Sequence, residues 1–308
     1  MRKVLIILLV LCILSMGWAR ERDRKLVVDN IQSQSFSPEE EFTALKGLIF
    51  PSQADPELQT EIFAEGGMVL DLKTGKILFS KNKEKRFYPA STTKIMTAWI
   101  ALERGNLEDE VLVSINAINL EPGSKTVFLE PGDRLSLETL LYGLLLESGN
   151  DCAIAIAEYL GGSEEGFVQL MNKKVHELGL KNTHFTNSHG LYNPEHYTTP
   201  GDLAIIAKEV FKLPKFREII QTQNYKARFK SLKGDIVRGW VNTNKLIDKQ
   251  SVFFSFLIIG SKTGYTHLSR YNLVTFARKG EKEVVIVVLK DGKNEIYTDT
   301  LRLLRRVV

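Results

Sequence analysis

Cysteine is scarce in this 308-residue chain, with two residues in all, and its scarcity excludes a disulfide-built fold. Cys12 lies in an apolar leader and Cys152 in the run C-A-I-A-I-A, so a chain cut after the leader keeps one thiol. No internal disulfide can then form, even in an oxidising compartment. In its apolar run Cys152 reads as a small buried hydrophobe rather than a nucleophile. Histidine is sparse too. His176, His184, His189, His196 and His267 show no H-E-x-x-H and no ligand spacing, which argues against a zinc peptidase. The charge balance is mild, 41 Lys and Arg against 37 Asp and Glu, a formal +4. No dense basic run carries interleaved aromatics, so a nucleic-acid partner is not expected. Repeats and low-complexity segments are absent.

What is present begins with M-R-K, the apolar run V-L-I-I-L-L-V-L-C-I-L-S-M and then G-W-A. The run is short for a membrane span. A basic start, apolar middle and small-x-small exit read as a signal peptide over residues 1–19, cut after Ala19. The mature chain is therefore expected outside the cytoplasm, in periplasm, cell wall or medium. Leu11, large where a lipoprotein needs a small residue, argues against a lipid-modified Cys12. Residues 20–60 form a polar extension, with a short helix expected at S-P-E-E-E-F-T-A-L-K capped by Ser37.

From Gly67 the pattern turns regular. G-M-V-L-D-L, K-T-G and K-I-L-F-S-K-N predict a hairpin. A buried helix follows P-A-S-T-T-K, with Ile95, Met96, Trp99, Ile100 and Leu102 apolar and Gly105 at its end. Helices are predicted over Leu137–Glu147, broken at S-G-N, and then in D-C-A-I-A-I-A-E-Y-L-G, E-E-G-F-V-Q-L-M-N-K-K-V-H-E-L-G and G-D-L-A-I-I-A-K-E-V-F-K. Strands are predicted at Tyr225–Phe229, Phe253–Ile259, Tyr271–Ala277 and Val284–Leu289. A Leu- and Arg-rich helix, Tyr297–Val307, should close the chain and pack on the sheet. The fold class is thus α/β in the α+β sense: one mainly antiparallel sheet built from both ends of the chain, flanked by helices, with a helical insert.

Three short pieces carry chemistry. Ser91-Thr92-Thr93-Lys94 sets a hydroxyl and an amine on one helix face, about 5–6 Å apart at Cβ. A serine needs a base to become a nucleophile, and a lysine serves once burial or a nearby cation lowers its pKa. An ordinary capped helix start would look the same. Ser148-Gly149-Asn150 interrupts two helices, as a site loop or a plain turn would. Lys262-Thr263-Gly264 follows an apolar strand and could line a groove, the glycine letting a substrate backbone lie close. Lys73-Thr74-Gly75 shows how readily the same tripeptide makes a simple turn.

Taken in order, Ser-x-x-Lys, Ser-x-Asn and Lys-Thr-Gly are the marks of the penicillin-recognising serine enzymes. From about Gly67 to its end the chain resembles the D-alanyl-D-alanine carboxypeptidases, the low-molecular-weight penicillin-binding proteins. F-L-E-P-G-D-R-L-S-L-E-T-L-L-Y-G-L-L-L-E-S-G-N-D, N-S-H-G-L-Y-N-P-E-H-Y-T-T-P-G-D-L-A and G-S-K-T-G-Y-T extend the likeness. The resemblance implies a serine β-lactamase/penicillin-binding-protein-like transpeptidase fold over residues 61–308, with no metal or cofactor. It implies Ser91 as the acylated nucleophile, Lys94 as its base, Ser148 as proton relay and Asn150 as holder of the substrate amide. Lys262 would meet the terminal carboxylate and support Ser148, Thr263 would donate to the substrate, and Gly264 completes the third motif. The oxyanion would lie between the N–H groups of Ser91 and His267, and Lys94 and Lys262 would depress each other's pKa.

The implied substrate is a peptidoglycan stem peptide ending in D-Ala-D-Ala, with β-lactams as acylating inhibitors and peripheral membrane or wall association open. A DD-endopeptidase would use the same residues. A β-lactamase of class A would need a separate deacylating glutamate, where this chain carries N-S-H-G-L. An inactive cell-wall binding protein would not need the intact Ser91, Lys94 and Lys262. Two departures stand out. Ser269-Arg270 follows the third motif where relatives often carry a small Ala-Gly pair, and the 44 residues after Gly264 leave no C-terminal β-rich domain expected.

Overall fold

The computed structural model describes residues 62–307, which fall within one unit, Thr60–Val308. The signal peptide, the polar extension and its capped helix lie outside the described residues. The predicted hairpin forms as β1 (Gly66–Asp71) and β2 (Ile77–Lys81), with the turn closed by Gly75 N–H on Asp71 O at 2.9 Å. The last strands are β7 (Ile258–Thr266), β8 (Arg270–Lys279) and β9 (Lys282–Asp291). They join the hairpin in one antiparallel sheet of order β2-β1-β9-β8-β7. Both ends of the chain do build it. β9 is central, and its run Val284–Leu289 is buried throughout, as a strand covered on both faces must be.

Alternate residues of β9 serve different layers. Val285, Val287 and Leu289 belong to the main core, which includes helix α1 (Lys94–Arg104), α5 (Pro200–Val210) and α6 (Pro214–Gln221). Val284, Ile286 and Val288 point the other way, and the closing helix α7 (Glu295–Val307) packs on β8 and β9 with Leu301, Leu303 and Leu304 buried. The apolar stripe of the Leu/Arg tail is therefore spent on the sheet. Between these ends lie α2 (Leu137–Tyr142), continued by a wider π turn at Gly143–Glu147, then α3 (Asn150–Gly161) and α4 (Glu164–Glu177).

Two expectations need correction. Phe253–Leu257 is not a strand, despite its apolar run. Ser251 and Ser255 accept backbone N–H groups of Phe253 at 3.1 Å and Leu257 at 3.4 Å, turning the segment before β7 starts. Such local side-chain bonds compete with a ladder. Nor is there a single sheet. Tyr225–Phe229 lies in β5 (Asn224–Ser231), which pairs with β6 (Gly234–Val241) in a second sheet of order β3-β4-β5-β6. Its other members are the short β3 (Glu110–Leu112) and β4 (Arg134–Ser136). Ala227 and Phe229 face inward while Lys226, Arg228 and Lys230 face water, the alternation of a half-covered antiparallel strand.

Candidate active site

Ser91 sits in a tight 3-10 turn, Ala90–Thr93, at the entrance to α1. Ala90 is held at φ 49, left-handed and unusual for a residue with a side chain. Thr92 Oγ1 donates to Pro89 O at 2.7 Å and fixes the turn. Lys94 is the first residue of α1 and wholly buried. Its Nζ lies 3.0 Å from Ser91 Oγ, 2.6 Å from Asn150 Oδ1 and 2.7 Å from the His189 carbonyl.

Those contacts set a proton arrangement. Burial first, and the charge of Lys262 second, hold the Lys94 amine well below its ordinary value, which favours its neutral form. A neutral amine has two hydrogens and one lone pair. Asn150 Oδ1 and His189 O can only accept, so they take the hydrogens. The lone pair is left for the Ser91 hydroxyl, which is the geometry a general base needs.

Across the cleft, Lys262 Nζ donates to Ser148 Oγ at 2.8 Å and to Thr263 O at 2.9 Å. Ser148 is left-handed at φ 65, which ends the π turn and aims its hydroxyl at Lys262. Burial, and then Lys125, bring Lys262 down to about 7. Both site lysines are thus lowered chiefly by burial, with a nearby cation adding to each, Lys262 for Lys94 and Lys125 for Lys262.

Gly264 has a different partner from the one expected. A Cβ there would stand 3.0 Å from Pro89 O, Ser91 N and Thr92 N. Its missing side chain lets the Ser91 turn lie against β7. His267 is also misplaced in the expectation. It sits exposed in the turn beyond Thr266↔Arg270, the last pair of the ladder. Thr266 N–H turns inward to Ser269 Oγ at 2.8 Å. N–H direction alternates along a strand, so Thr263 and Tyr265 present theirs on the free edge of β7. Tyr265, next to the glycine that touches Ser91, is the second oxyanion donor this geometry offers. Ser269 is buried and bonded to Thr266, while Arg270 faces solvent at φ 55.

Several partners gave no sequence signal. Lys94 is met by the backbone of His189, not its ring. That ring accepts Leu191 N–H at Nδ1, 3.1 Å, and its Nε2 lies 3.5 Å from Glu164 Oε1. The same Glu164 oxygen takes Ser188 N–H at 3.0 Å and Ser188 Oγ at 2.7 Å. His196 Nδ1 accepts Thr186 N–H at 3.1 Å, and Nε2 meets Thr93 Oγ1 at 2.8 Å. Asp151, beside Asn150, accepts the N–H groups of Val127 at 3.0 Å and Leu129 at 3.1 Å, pinning the cleft wall.

Both imidazoles are neutral near pH 7, since burial chiefly lowers His189 and His196 to about 3. The Glu164 contact is therefore an approach of a neutral ring to a carboxylate rather than an ion pair. Unfolded histidines bind protons below about 6.5, whereas the folded ones wait until about 3. The unfolded state thus takes up more protons, and stability should fall as pH drops below about 6.5, by roughly 1.4 kcal/mol per pH unit for each histidine. Urea unfolding at pH 7 and pH 5 measures this. His196→Asn should flatten the dependence, and an equal slope in wild type and variant would refute it.

Acyl transfer at a Ser-x-x-Lys serine is the chemistry these two linked serine–lysine couples suit, and it fixes the class of enzyme. Comparison with known proteins narrows the class to a family. The D-alanyl-D-alanine carboxypeptidase family model matches residues 52–293, and the chain belongs to that family. It is 40% identical over 231 residues to D-alanyl-D-alanine carboxypeptidase DacF of Bacillus subtilis, covering 73% of this chain and 57% of that one. It is 33% identical over 239 residues to DacA of Escherichia coli K12, covering 74% and 56%. The chain thus spans a little over half the length of these relatives. The crystal structure of the Streptomyces K15 DD-transpeptidase superposes with a TM-score of 0.74 at 32% identity, covering 80% of this chain and 97% of that one. The shared architecture is the α+β penicillin-binding-protein fold.

Proposed function

We propose that the protein is a serine-type D-Ala-D-Ala carboxypeptidase acting on peptidoglycan stem peptides through an acyl-enzyme on Ser91. The observation that carries the reading is the buried Lys94 amine, held well below its ordinary pKa, bonded to Asn150 Oδ1 and His189 O with Ser91 Oγ 3.0 Å away. Ser91 Oγ attacks the carbonyl of the penultimate D-alanine as its proton passes to Lys94. The oxyanion takes the N–H groups of Ser91 and Tyr265. Lys262, with Thr263, receives the terminal carboxylate, and Asn150 Nδ2 remains free to orient the acyl-side amide. Lys94 gives the Ser91 proton up through Ser148 to the leaving D-alanine amine, and, neutral again, serves as base when water attacks the ester. On this reading the chain works outside the cytoplasm, in line with the leader at residues 1–19.

The K15 relative, called a DD-transpeptidase, favours one second reading, in which an amine rather than water takes the acyl group. The test is intact-mass analysis after adding benzylpenicillin. A one-to-one adduct is expected in wild type and none in Ser91→Ala. D-alanine release from a D-Ala-D-Ala peptide, with and without an amine acceptor, then separates hydrolysis from transfer. Rapid consumption of the drug without an adduct would mark a β-lactamase instead, and neither adduct nor turnover would remove the reading.

A further inference from the structure

Asn272 lies on β8 directly opposite Gly264, and its side chain is wholly buried. Cross-strand partners project from the same face of a sheet. The amide therefore enters the space that the missing Gly264 side chain leaves open beside the nucleophile turn. There Nδ2 donates both hydrogens, to Tyr88 O at 2.9 Å and Pro89 O at 3.1 Å. Its Oδ1 accepts Lys290 N–H at 2.8 Å, which anchors the group to β9. One side chain so fastens the two residues before Ala90 to the centre of the sheet.

The fastening sits where the backbone is strained. Ala90, at φ 49, is in a conformation costing about 1–2 kcal/mol for an L-residue. Such strain persists only where the surroundings impose it. On one side Gly190 leaves no room for a side chain against Ala90 O, and on the other Asn272 holds the preceding carbonyls.

The consequence concerns the oxyanion site. Its two donors stand on separate elements, Ser91 on the 3-10 turn and Tyr265 on β7. Their separation is set by how the turn seats on the strand. Resting on the acyl-transfer reading above, we propose that Asn272 is a positioning residue, which seats the Ser91 turn on β7 and so sets the spacing of the two oxyanion donors. It touches no substrate. Its effect falls on the transition state, where about 1 Å of misplacement costs roughly 100-fold.

The experiment follows acylation by benzylpenicillin against drug concentration, giving a limiting rate and a half-saturation value. Asn272→Asp keeps an acceptor for Lys290 and replaces the two N–H donors by at most one O–H. Asn242→Asp is the control, because Asn242 makes the same set of bonds elsewhere: Nδ2 to Ile220 O at 3.2 Å and Thr222 O at 3.0 Å, and Oδ1 from Asn244 N–H at 3.0 Å. Asn272→Asp should lower the limiting rate about 100-fold with half-saturation changed less than about twofold. Asn242→Asp should leave the rate within about threefold, even if its melting temperature falls as far. If Asn272→Asp does not fold, Asn272→Ser takes its place, with rates normalised to the folded fraction. A folded Asn272 variant acylating at the wild-type rate, or losing only affinity, overturns the proposal while leaving the function intact. A wild-type protein that forms no adduct removes both together.

Discussion

Lys94→Ala should lower the rate of Ser91 acylation by about 10⁴-fold, since the nucleophile then has no base. The more telling variant is Lys94→Arg. A guanidinium keeps its proton throughout the accessible pH range, so it can donate but cannot accept from a hydroxyl. If the amine only orients Ser91, the arginine variant should retain much of the rate. If it is the base, arginine should be as inactive as alanine. Intact-mass time courses with benzylpenicillin decide between them, and a Lys94→Arg rate above about a tenth of wild type would sink the base assignment. The alanine variant also leaves Asn150 Oδ1 and His189 O short of a donor, at about 1–3 kcal/mol for each buried group, and the arginine variant forces a larger side chain into a fully buried place. Rates should therefore be normalised to folded protein. Wild-type activity should in turn weaken on the alkaline side of about 7 as Lys262 loses its proton, and on the acid side once Lys94 gains one.

The second large effect is expected at a residue that does no chemistry. Gly190→Ala would place a Cβ 1.9 Å from Ala90 O and 2.9 Å from Thr93 Oγ1, at a backbone φ of +92. Nothing at the first contact is a flexible side-chain end, so the nucleophile turn itself must move. Strain and overpacking together should destabilise the protein by roughly 2–5 kcal/mol. Acylation of the folded fraction should fall about 100-fold as Ser91 leaves its place. Gly179→Ala separates the two causes, because Gly179 has φ +69 but nothing within 4 Å of the new carbon. It should show the strain alone, with acylation unchanged. Urea melts and acylation rates of the two variants give the comparison, and equal effects would disprove the clash.

The legible part of this site was the part written in side chains close together in sequence. Ser91 and Lys94 share a helix face, and Ser148 and Asn150 share a broken helix end, so spacing alone brought each pair near. Their convergence with Lys262 came from resemblance, since separations of over a hundred residues leave no periodic trace. The His189 carbonyl on Lys94 is a backbone group that any residue could supply, and nothing in N-S-H-G-L distinguishes it. His267 failed for a related reason. Which N–H faces the cleft depends on strand parity and on where the hairpin turns, and Ser269 sets that turn by a hydrogen bond invisible in composition. Phe253–Leu257 misled because its apolar residues outvoted two serines that bend the backbone. Asn272 read as one more strand residue, although its amide holds both carbonyls that lead into the Ser91 turn.

The pairing of β1 with β9 also governs time. Met68 stands opposite Val287, so the sheet closes only when segments from far ends of the sequence meet. Such closure is entropically costly and slow, and it comes late. The strands carrying Lys262 and Asn272 pair locally with each other and with β9, but their seating against the Ser91 turn joins segments far apart in sequence and shares that late step. A chain that has built its helices but not this sheet holds Ser91 and Lys94 on one helix start, yet lacks the surface that seats them. Catalytic competence should therefore rise with the last folding phase rather than with helix formation, and Ser91 stays inert in every partly folded form that precedes it.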